Sequence, residues 1–323
     1  MTSTTPPNPS RKSLIGHAPN FWLHHSTHGF DLTHPPSPST PITTPRLTLQ
    51  TTSVPITIDP AKSALVIIDM QNFFLSEALG RVRGAGHAAC EKLVEYAIPA
   101  ARKAGMRVVW LNWGLTQEDL STMPPGVTRC FGFYSVPHDQ DFGEDDGLSI
   151  AAPGANAVGV DRFGKERAGY GKDAMYHGLG ASMGPITLED GEEVDAGNLL
   201  YLDSWNADIY PPLKALVSPS DALISKNRMS GLWGSETPFQ KFLEEQGVKT
   251  LLFAGINTDQ CVGGTLTDAF SRGYDCVLLR DGCGTTSPEE AQRSWEWNAE
   301  RSYGFCTSCE EAAVGVGKME GKE

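Results

Sequence analysis

The chain has 323 residues, of which 40% are hydrophobic and 20% charged, and its formal net charge is −13. This apolar fraction excludes a wholly disordered or fibrous chain. The sequence contains no run of about 18 apolar residues, so no membrane-spanning helix is predicted. The acidic balance argues against nucleic-acid or membrane partners, and the seven dispersed cysteines are typical of reduced thiols in a cytoplasmic protein.

Residues 1–59 form an N-terminal extension that is rich in Pro, Ser and Thr. Eleven of the 22 prolines fall within the first 60 residues. Because proline fixes φ and lacks an N–H, we expect no long helices and no central sheet strands there. The aromatic segment 20–23 is expected to attach this partly ordered extension to the domain surface or to a neighbouring subunit.

Several histidines also lie in the extension, and they raise the question of a metal site. These are His17, His24, His25, His28 and His34. A metal cluster needs ligands held in place by further partners, and no cysteine or carboxylate pair frames these side chains. We therefore predict loop histidines without a bound metal.

A regular alternation of strands and helices begins at residue 60. The apolar run 64–68 predicts a strand buried on both faces, which is typical of a parallel sheet. Apolar residues at helical spacing then predict a helix from His87 to Gly105, with the glycine as its C-cap. Residues 107–111 predict the next strand, which completes one βαβ unit.

The same alternation returns in the C-terminal half. Strands are predicted at 222–225, 250–254 and 275–279, and helices at 238–246, 261–272 and 288–303. Residues 115–200 show no clear period and are interpreted as an irregular insertion, and residues 315–323 as a polar tail. We therefore predict one domain over 60–314, with a three-layer, doubly wound α/β fold and a mainly parallel sheet.

Three of the predicted strands end in residues that can carry chemistry. These residues are Asp69, Lys226 and Cys261. Each has a simpler explanation on its own, as a cap, a surface lysine or a small buried hydrophobe. Because ligands bind at the carboxyl ends of parallel strands, their coincidence at one edge of the sheet predicts an active site.

The three residue types suit a covalent hydrolysis. Cys261 lies in the first turn of a predicted helix, where the free N–H groups and the helix dipole should stabilise a thiolate, and Lys226 should lower the thiol pKa further. Asp69 would take the thiol proton and return it to a leaving group. The chemistry is typical of acyl transfer from an amide or ureido carbon to water through a thioester.

Three segments resemble a known family, the isochorismatase-like cysteine hydrolases. They are Leu65–Phe74, Ser225–Gly231 and Gly255–Val262. The superfamily includes nicotinamidases, N-carbamoylsarcosine amidohydrolases and ureidoacrylate amidohydrolases, and the likeness covers about residues 60–112 and 200–310. The resemblance implies catalytic roles for Asp69, Lys226 and Cys261, and a homo-oligomer, either a dimer or a tetramer.

The resemblance also implies details around the nucleophile. A cis peptide is expected between Ile256 and Asn257, and the backbone N–H groups of Asn257 and Cys261 are expected to form the oxyanion hole. Nicotinamidases carry a metal-binding Asp/His set after the second strand, but residues 111–116 contain no such set. We therefore expect neither a metal nor another cofactor.

The substrate is expected to be a small molecule with a C–N carbonyl bond, which makes the protein an amidohydrolase. The stretches 110–114 and 226–231 are most similar to the ureidoacrylate branch, although an aromatic residue is expected there in place of Met229. Two alternatives are an isochorismate-type vinyl-ether hydrolase and a catalytically silent homologue that binds a metabolite or partner. The candidate substrate contacts are Asn72, Phe74, Asn112, Trp113, Met229 and Trp233.

Overall fold

The computed structural model describes residues 10–41, 45–139, 157–166 and 178–319. The strands are β1 (Lys12–His17), β2 (Asn20–His25), β3 (Gly29–Leu32), β4 (Leu47–Leu49), β5 (Ile56–Ile58), β6 (Ser63–Ile68), β7 (Arg107–Trp113), β8 (Phe133–Ser135), β9 (Val158–Val160), β10 (Pro185–Thr187), β11 (Glu193–Asp195), β12 (Ala222–Lys226), β13 (Thr250–Ile256), β14 (Asp275–Gly284) and β15 (Phe305–Thr307).

The α-helices of the same ranges connect these strands. They are α1 (Asn72–Leu75), α2 (Ala85–Lys92), α3 (Ile98–Ala104), α4 (Gln117–Ser121), α5 (Pro125–Cys130), α6 (Pro211–Lys214), α7 (Pro238–Glu245), α8 (Gly263–Ser271), α9 (Glu289–Asn298) and α10 (Cys309–Gly317). Short π-helical turns occupy Leu93–Ala97, Thr258–Val262 and Ala299–Tyr303.

The central sheet has the order β12-β7-β6-β13-β14-β15, and every neighbouring pair in it is parallel. Side chains of β6 alternate between two cores. Val66 and Ile68 pack with residues of α7 and α8, whereas Leu65 and Ile67 pack with residues of α2 and α3. Helices therefore cover both faces of the sheet, and the predicted three-layer α/β fold is confirmed.

The predicted strands and helices of the domain are present, with changes at the boundaries. The predicted helix from His87 to Gly105 is α2, a π-helical turn and α3, and Gly105 ends it with a φ of 78°. At the C-terminus α10 continues to Gly317, beyond the start of the predicted tail at residue 315. Glycine at position 315 makes this packing possible, because a Cβ there would lie only 2.5 Å from the carbonyl oxygen of Thr48 and would clash with it.

The N-terminal extension contains a sheet of its own, with the order β1-β2-β3-β5-β4. The expectation that proline excludes a central strand from this region was wrong, because β3 lies in the middle of that sheet. The reason is the placement of the prolines, none of which lies within a strand of the described part of the extension. The strands keep all their N–H donors, and the prolines confine the turns.

The aromatic segment 20–23 attaches the extension to the surface of the domain, which is the first of the two attachments expected from the sequence. The anchor is Asp275, at the first position of β14. Its Oδ1 accepts a hydrogen bond from Nε1 of Trp22 at 2.7 Å, and its Oδ2 bonds Nε2 of His34 at 2.7 Å. Thr250 of the central sheet donates to the same Oδ2 at 2.8 Å, so one buried carboxylate joins the two sheets.

The insertion between residues 115 and 200 is built from short elements where the structure describes it. It contributes α4 and α5 and two antiparallel pairs, β8 with β9 and β10 with β11. Residues 140–156 and 167–177 of the predicted insertion lie outside the described part. Across the described ranges, none of the helices has both the length and the apolar character needed to cross a bilayer.

Candidate active site

Three neighbouring segments of the sheet bring the predicted residues together. Asp69 follows β6, Lys226 ends β12, and Cys261 lies on the π-helical turn after β13. Nζ of Lys226 lies 3.0 Å from Oδ2 of Asp69. Asp69 is 0% exposed, Lys226 4% and Cys261 7%, so the fold encloses the group.

Hydrogen bonds to the neighbouring strand β7 hold Asp69 in place. Its φ of 53° lies in the left-handed region, which aspartate tolerates better than most residues because its short side chain can bond locally. Its backbone N–H donates to the carbonyl oxygen of Leu111 at 3.2 Å, and its Oδ1 accepts from the N–H of Trp113 at 3.1 Å. These bonds fix the carboxylate and leave Oδ2 for Lys226.

Lys226 is not the solvated surface lysine that its position alone would favour. Its ammonium group contacts Oδ2 of Asp69 at 3.0 Å, the carbonyl oxygen of Arg228 at 3.1 Å and the ring of Trp113 at 4.0 Å from the centroid. A buried cation is stable only when it is paired and hydrogen-bonded, and the aromatic face adds a further attraction. These three partners account for its burial.

Cys261 lies just beyond a cis peptide between Ile256 and Asn257, which confirms the expectation from the resemblance. Its π-helical turn, Thr258–Val262, leads directly into α8. Its carbonyl oxygen accepts a hydrogen bond from Oγ1 of Thr265 at 2.7 Å, which fixes the start of the helix. Its thiol lies close enough to the carboxylate of Asp69 for each group to shift the pKa of the other.

The electrostatics of the thiol differ from the sequence-based expectation. Burial and the charge of Asp69 raise the pKa of Cys261 to about 12, and the opposing effect of Lys226 is smaller. Burial also raises the pKa of Asp69 above its ordinary value, although Lys226 opposes this. The prediction that the helix start and Lys226 leave the thiol with a low pKa was therefore wrong. The sulfur keeps its proton at neutral pH and has a base beside it to receive that proton.

The predicted oxyanion hole begins at Asn257, where β13 gives way to the π-helical turn. Within the ranges that the structure describes, no hydrogen bond uses the backbone N–H of Asn257. A free N–H beside the nucleophile is suited to receive an oxygen that becomes negatively charged. The pairing of Asn257 with Cys261 in this role stays a prediction.

Three of the candidate substrate contacts are buried or half-buried. Trp113 is 2% exposed and lies under the ammonium of Lys226. Asn72 is also buried and donates from Nδ2 to the carbonyl oxygen of Trp205 at 2.8 Å. Phe74 is half-buried, with its ring 4.8 Å from that of Phe73. Trp113 therefore belongs to the reacting group's surroundings, whereas the hydrogen bond of Asn72 holds the loop around Trp205.

The other three candidates lie farther out. Met229 and Trp233 are 38% and 52% exposed, and Nε1 of Trp233 donates to Oδ1 of Asn227, next to Lys226, at 3.0 Å. Asn112 lines a cavity of about 440 Å³ beside Trp205, at the open edge of β12. Asp69, Lys226 and Cys261 do not line that cavity, although Trp113 does.

Sequence reasoning missed two contributions from the insertion. Phe131, which follows α5, packs its ring 5.4 Å from that of Trp113. Asp119 of α4 accepts from Nδ2 of Asn227 at 2.5 Å and so fixes the residue next to Lys226. The spacing from Thr116 to Asp119 forms a capping box that could have revealed α4, whereas no pattern marked Phe131.

Comparison with known proteins matches part of the chain to a family model and its fold to solved structures. Residues 188–310 match the model of the isochorismatase domain. A cysteine hydrolase from Pseudomonas syringae pv. phaseolicola 1448A matches with a TM-score of 0.52 at 16% identity over 86% of this chain and 98% of its own. An isochorismatase family protein from Desulfovibrio vulgaris subsp. vulgaris str. Hildenborough matches with a TM-score of 0.50 at 18% identity, over 80% and 99%. The resemblance noted in the sequence is thereby confirmed.

Proposed function

We propose that this isochorismatase-like protein is a cysteine-dependent amidohydrolase that cleaves a C–N bond of a small amide or ureido compound. The observation that carries the proposal is the enclosed group of Cys261, Asp69 and Lys226, in which a thiol faces a carboxylate that is paired with an ammonium at 3.0 Å. A nucleophile with an adjacent base, and a third group that orients the base, is the arrangement that covalent hydrolysis requires.

The first half of the reaction forms a thioester. The sulfur of Cys261 attacks the substrate carbonyl carbon while its proton passes to Asp69, and the C=O electron pair moves to oxygen. The N–H groups of Asn257 and Cys261 receive that oxygen. When the C=O bond forms again, the C–N bond breaks and Asp69 returns the proton to the leaving nitrogen.

The second half releases the acid. Water attacks the thioester carbon and gives a proton to Asp69; the C–S bond then breaks and that proton returns to the sulfur. Throughout, Lys226 keeps its charge and offsets the charge of Asp69. Both half-reactions therefore use one carboxylate as base and then as acid.

A panel of small amides, ureido acids and vinyl ethers tests this proposal. We expect at least one amide or ureido compound to release ammonia or an amine, and acid quenching during turnover to trap an acyl group on the peptide that contains Cys261. The partly exposed thiol of Cys130 serves as the internal control and should stay unmodified. Turnover of the vinyl ether alone, or amide turnover with no acyl group on Cys261, would contradict the proposal.

The acid limb of the pH profile gives a second prediction. Catalysis needs Asp69 as a carboxylate, and burial raises the pKa of that group above 3.8. The proton therefore stays on Asp69 to a higher pH than on a free aspartate, and kcat/KM should fall with decreasing pH while the pH is still above 3.8.

The measurement is kcat/KM against pH with the best panel compound. Asp119→Asn is the matched control, because Asp119 is the carboxylate bonded to Asn227 and its pKa is lowered, chiefly through the hydrogen bond from that amide against the effect of burial. The control should leave the limb in place. A limb centred at or below 3.8 would remove Asp69 from the role of base.

A further inference from the structure

One residue lies against all three members of the reacting group. Trp113 is the last residue of β7, the strand between β12 and β6. Its backbone N–H donates to Oδ1 of Asp69 at 3.1 Å, and its ring centroid lies 4.0 Å from Nζ of Lys226. Its side chain lies near enough to the sulfur of Cys261 to lower the pKa of that thiol.

The indole of Trp113 is fixed from several sides. The side-chain amide of Gln71 makes two hydrogen bonds with the backbone of Trp113. Its Oε1 accepts from the N–H of Trp113 at 3.1 Å, and its Nε2 donates to the carbonyl oxygen of Trp113 at 2.7 Å. The ring of Phe131 packs against the indole at 5.4 Å. The position of the indole N–H relative to Cys261 is therefore set before any substrate arrives.

This N–H is short of a partner while the thiol is neutral. Nε1 of Trp113 is a buried atom that makes no hydrogen bond of ordinary geometry in the described part of the chain. A thiol sulfur is a weak acceptor, and an unpaired buried donor is costly. A negatively charged sulfur is a much stronger acceptor, so the N–H gains its full interaction only when the proton has left Cys261.

A purely structural tryptophan in the same strand shows the contrast. Trp110 is fully buried three residues earlier in β7, and its Nε1 donates to Oδ2 of Asp221 at 2.9 Å. Core packing in this strand is thus compatible with a satisfied indole N–H. At Trp113 the indole N–H instead lacks such a partner, and the side chain lies beside the nucleophile.

We propose that Trp113 is a fourth catalytic residue. Its indole N–H donates a hydrogen bond to the Cys261 sulfur as negative charge develops there, while its ring holds the Lys226 ammonium in place. This inference rests on the proposed function in one respect, namely that Cys261 is the nucleophile. It assigns to Trp113 a role in the reaction itself and not in substrate contact. The interaction is preorganised and strengthens in the transition state, which is the condition for lowering a barrier.

The test uses the alkylation of Cys261 by iodoacetamide at pH 7.5 (about neutral, where the thiol is protonated), followed by peptide mass spectrometry, so that it needs no known substrate. Trp113→Phe keeps an aromatic ring and removes the N–H. We expect the alkylation rate of Cys261 in this variant to fall by about tenfold or more, because a hydrogen bond to a charged group is lost. Trp110→Phe is the matched control from the same strand and should stay within about twofold of the wild type.

A second variant separates the N–H from the volume of the ring. Site-specific replacement of Trp113 by β-(3-benzothienyl)alanine keeps the size and shape of the indole and puts sulfur in place of the N–H. Thermal unfolding shows which proteins are folded, and the benzothienyl protein decides the question if Trp113→Phe does not fold. It should show the same loss of rate.

The outcomes separate the two proposals. If wild-type Cys261 is alkylated faster than the equally buried Cys283, but the rate is unchanged in the folded Trp113 variants, the role of Trp113 is overturned and the proposed function stands. If wild-type Cys261 is no faster than Cys283, the sulfur is not an activated nucleophile and both proposals fail. A loss of rate in Trp110→Phe as large as in Trp113→Phe would also overturn the role of Trp113.

Discussion

Cys261→Ala is expected to lower kcat/KM for the best amide or ureido substrate by roughly 10³-fold to 10⁶-fold, the range found when the nucleophile of a covalent hydrolase is removed. The variant has no atom that can form the thioester, although Asp69 and Lys226 stay in place and can still orient water. The residual rate should come from that water and from substrate binding. The measurement is initial-rate kinetics of ammonia or amine release.

Two further variants make the result specific. Cys130→Ala removes a thiol from α5, in the insertion, and should leave kcat/KM within about twofold, since Cys130 has no contact with the reacting group. Cys261→Ser keeps a donor that can bond Asp69 but has a much weaker nucleophile, so it should fold like the wild type and still lose most of the activity. Hydrolysis by Cys261→Ala at the wild-type rate would exclude covalent catalysis.

The positions of the three reacting residues could be predicted because they follow from the sheet. Buried parallel strands appear in the sequence as apolar runs, and the first residues beyond such runs meet at one edge. Asp69 and Lys226 are placed by β6 and β12 in this way, and the helix expected near Cys261 is α8 with its preceding turn. The central fold and the candidate site were therefore accessible to simple periodicity.

The protonation state of the site could not be predicted in the same way. The sequence shows a helix start and a lysine, and both lower a thiol pKa, but it does not show how much water is excluded. Burial depends on side chains from distant parts of the chain, among them Phe131 of the insertion, and here its effect exceeds that of Lys226. The role of Trp113 was hidden for the same reason, because its contacts join three separate strands.

The N-terminal sheet shows a different limit. The prolines were counted over the whole extension, whereas their effect on a strand depends on which positions they occupy. With no proline inside β1 to β5, the count had no bearing on the strands. The fixing contact is equally non-local, since Asp275 lies more than 200 residues beyond Trp22 and His34.

Lys226→Met should destabilise the fold by about 3–5 kcal/mol at neutral pH, which is the usual cost of removing one partner of a buried ion pair. Methionine matches the length of the lysine stem but leaves the carboxylate of Asp69 buried without its cation. Urea unfolding measures the loss. Lys241→Met is the control, because Lys241 and its partner Glu236 are 55% and 82% exposed and such pairs contribute little.

The loss in Lys226→Met should depend on pH in a defined direction. Burial already raises the pKa of Asp69 above 3.8 in the folded protein, and removal of the cation raises it further. In the window between 3.8 and the folded pKa, the native state binds more protons than the unfolded state, so stability is retained at low pH and lost as the pH rises through the folded pKa. The variant should therefore recover stability relative to wild type on acidification.

The double variant Asp69→Asn/Lys226→Met separates charge from packing. It removes both charges while it keeps the approximate volumes, so the free energy of unfolding should return most of the way to that of the wild type. If the double variant is instead as unstable as the sum of the two single variants, the pair has no coupling, and the cost of Lys226→Met comes from lost packing against Trp113. Recovery in the double variant, together with loss of activity, would mean that the pair is retained for its chemistry and not for stability.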